Sequence, residues 1–135
     1  MRTVNVAAAV MIRDGKIFVT ERGYGDYKDW WEFPGGKIEE NESPRDAVSR
    51  EIGEELGVSI EVGDRIYVIE YDYPDFHLHM EAFACTLSGG EIELREHENA
   101  LWLDRDSIDS VRWLPADEEM IGYLRDNWDD IVLGQ

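Results

Sequence analysis

The segment from Ser43 to Leu56 carries its own structural instructions. Ser43 is a strong helix N-cap, and Pro44 suits the first helical position, where a missing N–H costs nothing. Asp46 stands three residues past the cap and can complete a capping box. Val48, Ile52 and Leu56 recur at i, i+4 and i+8, giving one apolar stripe. Gly57 is a natural left-handed terminator. A helix with one apolar stripe must lie against a partner surface, and the flanking sequence supplies strands. Val4 to Arg13 and Lys16 to Glu21 read as a hairpin turning at Asp14-Gly15. Further strands are expected at Ile60 to Tyr71, Phe76 to Leu87 and Ala100 to Leu103, with a turn at Ser88-Gly89-Gly90. Pro115 to Trp128 reads as a last helix, Gly23 to Trp30 as a loop, and Phe33-Pro34-Gly35-Gly36 as irregular chain. Strands with helices between them predict an α/β sandwich around a mixed sheet in a single domain.

The same helix carries Glu51, Glu54 and Glu55. At spacings of three and four, the carboxylates share one side of the helix beside the apolar stripe and repel one another. Glu54 and Glu55 also stand in the last turn, where the helix dipole disfavours negative charge. Local rule-breaking of this kind marks functional sites, and a hard cation with oxygen ligands would remove the repulsion. A solvated acidic face is the bland alternative, and Arg50 can pair with Glu54 at i, i+4.

The rest of the chain sets limits. Its 135 residues fit one domain, and 43% hydrophobic residues rule out a disordered segment. No apolar run is long enough to span a membrane. The run Val6 to Ile12 after Arg2 resembles a leader only loosely, because it continues into a turn and a second apolar run. Cys85 is the single cysteine and lies in an apolar run, so an inert buried thiol and a cytoplasmic setting are expected. A formal net charge of -18 argues against a nucleic-acid polymer as partner. It permits a phosphate-bearing small molecule only where a divalent cation inverts the local charge.

From Gly36, five residues lead to Glu42, and seven more lead to Arg50-Glu51-Ile52-Gly53-Glu54-Glu55-Leu56-Gly57-Val58. This run over residues 36–58 resembles the Nudix box, G-x5-E-x7-R-E-U-x-E-E-x-G-U with U apolar, at every specified position. Trp31 to Glu39, Tyr73-Pro74-Asp75, Glu96 before Ala100-Leu101-Trp102, and Leu114 to Asp117 extend the resemblance to the MutT-like branch. The resemblance implies a Nudix α/β/α sandwich and hydrolysis of a nucleoside triphosphate to the monophosphate and pyrophosphate. It implies magnesium as cofactor, with manganese as the alternative. The Gly35 carbonyl, Glu54 and Glu55 match metal-binding positions, and Glu51 matches a ligand or the base that deprotonates water. Glu96 matches a second-loop glutamate used for metal or water activation. Arg50 matches an arginine that orients the glutamates, and Glu42 a residue that holds the loop. Arg22 matches an arginine on the substrate phosphates, and Phe33 an aromatic lining the base pocket.

Members that remove oxidised guanine nucleotides carry Asn where this chain has Asp117, and Arg where it has Phe76. An ionised Asp117 accepts hydrogen bonds only, which suits the amino group of cytosine, and Phe76 can stack on a base. His77-Leu78-His79 and Glu96-His97-Glu98 resemble the CTP pyrophosphohydrolases. A CTP or dCTP preference is therefore expected, with 8-oxo-dGTP as the alternative and a non-catalytic nucleotide-binding module as the alternative of another class. The competing structural roles are a helix cap for Asp117 and strand alternation for the histidines. A monomer or homodimer is expected.

Overall fold

The computed structural model describes residues 1–134. Seven strands run as β1 (Thr3–Arg13), β2 (Lys16–Arg22), β3 (Trp31–Glu32), β4 (Gly35–Lys37), β5 (Ser59–Asp72), β6 (His77–Gly89) and β7 (His97–Leu103). Helix α1 spans Pro44–Leu56 and α2 spans Glu118–Asp126. Strand β1 is the spine. It pairs in parallel with β6 along one edge and antiparallel with β4 and β2 along the other. Strand β5 extends the β6 side, while β3 and β7 flank β2. The sheet is therefore mixed.

Alternation along β1 sorts its side chains to two faces. Ala7, Ala9 and Met11 pack with Val48, Ile52 and Leu56 of α1. Ala8, Val10 and Ile12 pack with Met120, Leu124 and Trp128 on the opposite face. The result is the expected α/β/α sandwich. The small residues of β1 let the neighbouring chain come close. A Cβ at Gly35 would lie 2.2 Å from the Ala7 carbonyl oxygen, so only glycine fits there.

The α1 boundaries match the sequence. Ser43 Oγ accepts from Asp46 N at 3.1 Å, and Gly57 is left-handed at φ 68°. Only this half of the capping box forms among the described residues. Three local expectations change. Gly35 and Gly36 are not irregular but pair with β1, because Ala8 and Ala7 leave room for them. Ser88-Gly89 continues β6, with Gly89 opposite Ser59, so the turn comes later. The last helix is broken into a 3-10 turn at Pro115–Asp117, α2, and a π-helical segment at Asp129–Leu133.

Candidate active site

Two ends of the chain are tied together before any site residue is placed. Trp31 N donates to Arg112 O at 2.7 Å, and Leu114 N donates to Trp31 O at 2.9 Å. This clamp sets the Pro115–Asp117 turn beside β3. Ala116 N then donates to the Tyr73 hydroxyl at 3.3 Å, which fixes the turn against the end of β5. Phe33 stacks on Trp113 with centroids 5.2 Å apart, so it is both core and pocket wall.

Two adjoining cavities result. The smaller, about 240 Å³, is lined by Glu55, Glu96, His97 and Gly35 together with Arg22 and Phe33. The larger, about 710 Å³, is lined by Phe33, Phe76 and Asp117 and shares Arg22 and Gly35 with the first. The residues expected from the sequence therefore converge, but unequally. Arg50, Glu51 and Glu54 line neither cavity. Glu51 lies behind Gly36, which lines the larger one, and an added Cβ at Gly36 would fall 2.3 Å from the Glu51 carboxyl carbon.

Arg50 organises the acidic helix. It donates to Glu42 at 2.7 and 3.1 Å, to Glu51 at 2.9 Å, to Glu54 at 3.2 Å and to the Lys37 carbonyl at 3.0 Å. Its guanidinium pKa is raised, first by the Glu42 hydrogen bonds, and Glu42 is in turn held below the usual carboxylate range. The three box glutamates do not share one environment, contrary to a simple helical-wheel reading. Glu54 is open to solvent, Glu51 is half-buried, and Glu55 is 5% exposed. Burial pushes the Glu55 carboxyl up to about 9, with Glu51, Glu96 and Glu32 adding repulsion. Its Oε2 has no hydrogen-bond partner among the described residues. A buried acid with a free oxygen, facing other carboxylates, is destabilising unless a cation joins it. The carboxylates of Glu51, Glu55 and Glu96 and the Gly35 carbonyl are oxygen donors of the kind a hard divalent ion takes, although the acidic group whose ligand atoms lie within 4.8 Å of one another among the described residues is Glu21, Asp29 and Glu98.

Arg22 is not free. Nε and Nη2 donate to Glu32 at 3.1 and 2.9 Å, and Nη1 donates to the Asp26 carbonyl at 3.2 Å. Glu32 was not singled out from sequence. Its signal was its place in Trp31 to Gly36, beside the strand that ends in Arg22. Phe76 is stacked on Tyr73 with centroids 5.2 Å apart, and the Arg2 guanidinium lies 5.9 Å from its ring centroid. Asp117 makes no cap hydrogen bond, so the helix-cap role is excluded. Burial pushes its carboxyl up to about 8, with Glu32 adding to the rise. A carboxyl pushed up in this way favours its protonated form more than an ordinary aspartate does, with Arg22 opposing the rise.

The sequence matches the NUDIX domain family over residues 1–131. The chain belongs to the Nudix family. The CTP pyrophosphohydrolase of Escherichia coli (strain K12) is 33% identical over 118 residues, 87% of each chain. The 8-oxo-dGTP diphosphatase of the same strain is 29% identical over 127 residues, 93% of this chain and 98% of that one. The solution structure of the E. coli ORF135 protein superposes with a TM-score of 0.81 at 30% identity, covering 94% of this chain and 91% of that one. A MutT Nudix hydrolase from Burkholderia pseudomallei gives 0.72 at 28% identity, covering 78% and 86%. This Nudix protein is a hydrolase of phosphoric anhydride bonds in nucleotide-derived substrates. Members of the family need a divalent metal cation. No helix among the described residues is long and apolar enough to cross a membrane.

Proposed function

We propose that this Nudix hydrolase converts a nucleoside triphosphate to its monophosphate and pyrophosphate, with CTP or dCTP preferred and magnesium as the cation. The observation that carries base recognition is Asp117, buried at the wall of the larger cavity beside Glu32 and Arg22, while the choice of cytosine over guanine leans on the CTP pyrophosphohydrolase relative. A protonated carboxyl offers one O–H donor and one carbonyl acceptor side by side. Cytosine presents the complement, a ring-nitrogen acceptor next to an amino donor. Phe33 and Phe76 supply apolar walls for the ring. The CTP pyrophosphohydrolase relative supports the same choice.

Glu51, Glu54, Glu55, Glu96 and the Gly35 carbonyl would hold the cation. Bound there, it neutralises the polyphosphate and acidifies an attacking water. Glu51, against Gly36, or Glu96, at the smaller cavity, would accept the proton of that water. Arg50 keeps Glu51 and Glu54 together. Three of the N–H groups of Arg22 are engaged, and the two left in its fork can reach a phosphate oxygen.

The second reading is 8-oxo-dGTP hydrolysis, since a protonated carboxyl also complements the ring N–H and carbonyl of guanine, and the 8-oxo-dGTP diphosphatases are relatives of comparable coverage. Steady-state kcat/KM across CTP, dCTP, dGTP and 8-oxo-dGTP, with products identified, tests the choice. A cytidine nucleotide at the top of the ranking supports the proposal. Preference for 8-oxo-dGTP replaces it with the second reading. No turnover on any nucleotide overturns both.

A further inference from the structure

Each box glutamate but one is held by Arg50, and the exception, Glu55, has the Gly35 backbone N–H nearby. Arg50 holds Glu51 and Glu54. No bond from Arg50 to Glu55 exists among the described residues, and Arg95 is spent on Glu93 and the carbonyls of Gly53 and Glu54. Glu55 faces a different group. His97 Nε2 lies 3.5 Å from Glu55 Oε1, and both side chains are 7% exposed. The imidazole is not committed elsewhere, for its Nδ1 is buried without a partner among the described residues, as is Glu55 Oε2.

A backbone irregularity brings this histidine inward. Along β7, Leu101 pairs with Val19, Ala100 with Thr20 and Asn99 with Glu21, but the next pair is His97 with Arg22. The ladder passes over Glu98. One skipped residue shifts the period-2 alternation, and bulges of this kind re-aim side chains beside active sites. Without the skip His97 would fall on the face of Asn99 and Leu101. With it, the imidazole turns towards α1 and meets Glu55.

We propose that His97 is the positioning residue for Glu55: its Nε2–H holds Oε1, leaving Oε2 directed at the cation. This rests on Glu55 being a metal ligand, as in the function proposed above. Outer partners of ligating carboxylates fix ligand orientation, and their loss typically weakens metal binding by about 10–100-fold. A glutamine at 97 can still donate an N–H, whereas alanine cannot.

The test is Mn²⁺ affinity measured without substrate, by electron paramagnetic resonance of free Mn²⁺, in the wild type, His97→Ala, His97→Gln, Glu55→Gln and the two Glu55→Gln double variants. Circular dichroism checks the fold of each. His97→Ala should raise Kd by about 10–100-fold, with His97→Gln recovering most of the loss. In the Glu55→Gln background neither change at 97 should cost anything more, because the two residues act as a unit. A His97→Ala Kd within about two-fold of wild type overturns the proposal, as does an equal loss in the Glu55→Gln background. Should His97→Ala fail to fold, the cycle is closed with His97→Asn and the same outcomes decide. A Glu55→Gln protein that binds Mn²⁺ like wild type also overturns it, by removing the ligand role beneath it. Wild type that binds Mn²⁺ in the expected cycle yet hydrolyses no nucleotide sinks the substrate reading alone and leaves the His97 assignment supported.

Discussion

Arg50 grips Glu42 through two nitrogens, Nε at 2.7 Å and Nη2 at 3.1 Å, across eight positions of sequence. That grip joins the loop before α1 to the helix face bearing Glu51 and Glu54. The planar fork is what allows one side chain to serve three carboxylates and a carbonyl at once. Arg50→Lys keeps the charge and loses the fork. It should lower kcat by at least about ten-fold and weaken metal binding, with the melting temperature falling by several degrees. Wild-type kinetics in Arg50→Lys would show that charge alone suffices.

Glu55→Gln separates stability from activity. In the metal-free protein, burial raises the Glu55 pKa to about 9. The folded state therefore holds a proton that the unfolded state releases near the ordinary carboxylate pKa, and stability falls as pH rises from about 4.5 to about 9. Glutamine removes that loss, so metal-free Glu55→Gln should gain on wild type progressively across this window. Saturating Mg²⁺ should reverse the order, because the wild type gains more binding energy from the ion than the variant does. The kcat of Glu55→Gln should fall by several orders of magnitude. Melting curves over pH with and without Mg²⁺ provide the check.

Asp117→Asn keeps a donor and an acceptor but removes the titration. Wild-type stability should decline between the ordinary aspartate range and pH 8, since the raised folded pKa is a penalty on ionisation. The variant should be more stable than wild type, by a margin that grows up to about pH 8 and then levels. Wild-type kcat/KM for the preferred nucleotide should drop above pH 8, and Asp117→Asn should not share that limb. A common pH profile would remove Asp117 from base recognition.

His77 tests the opposite sign at the surface. The protonated ring of His77 donates to Asp72 at 2.6 Å and to Glu70 at 3.1 Å, and both raise the imidazole pKa. The stabilisation is complete below the ordinary histidine pKa and vanishes as pH passes above the raised one. Urea midpoints of wild type and His77→Gln should therefore differ at pH 5.5 and converge by about pH 9. Equal midpoints at both would mean the cluster contributes nothing.

Local signals were legible in proportion to how local they were. Ser43, Pro44 and Gly57 bound α1 because caps act through backbone bonds within a few residues. The Nudix box named the acidic set for the same reason. What it could not convey was inequality among those acids. Glu55 is buried and Glu54 exposed because β4, β5 and β1 pack against one side of α1. The burial of Asp117 depends on the Trp31–Trp113 clamp, which joins residues more than eighty positions apart. The inward turn of His97 depended on a skipped pairing that no alternation of hydrophobic residues encodes. Strand β4 was hidden because two glycines pair only where Ala7 and Ala8 make room.

The sheet stands between the two halves of the site. Helix α1, with its glutamates, covers one face, while the cavity holding Phe76 and Asp117 opens over the other, and they meet at Gly35 and Arg22. The half that would break the anhydride bond can stay untouched while the half that would choose the nucleobase is redrawn by substitutions at Asp117, Phe76 or the turn that carries them. A lineage built on this plan can exchange its reader without rebuilding its blade, and that freedom is a physical reason for one box to serve many nucleotides.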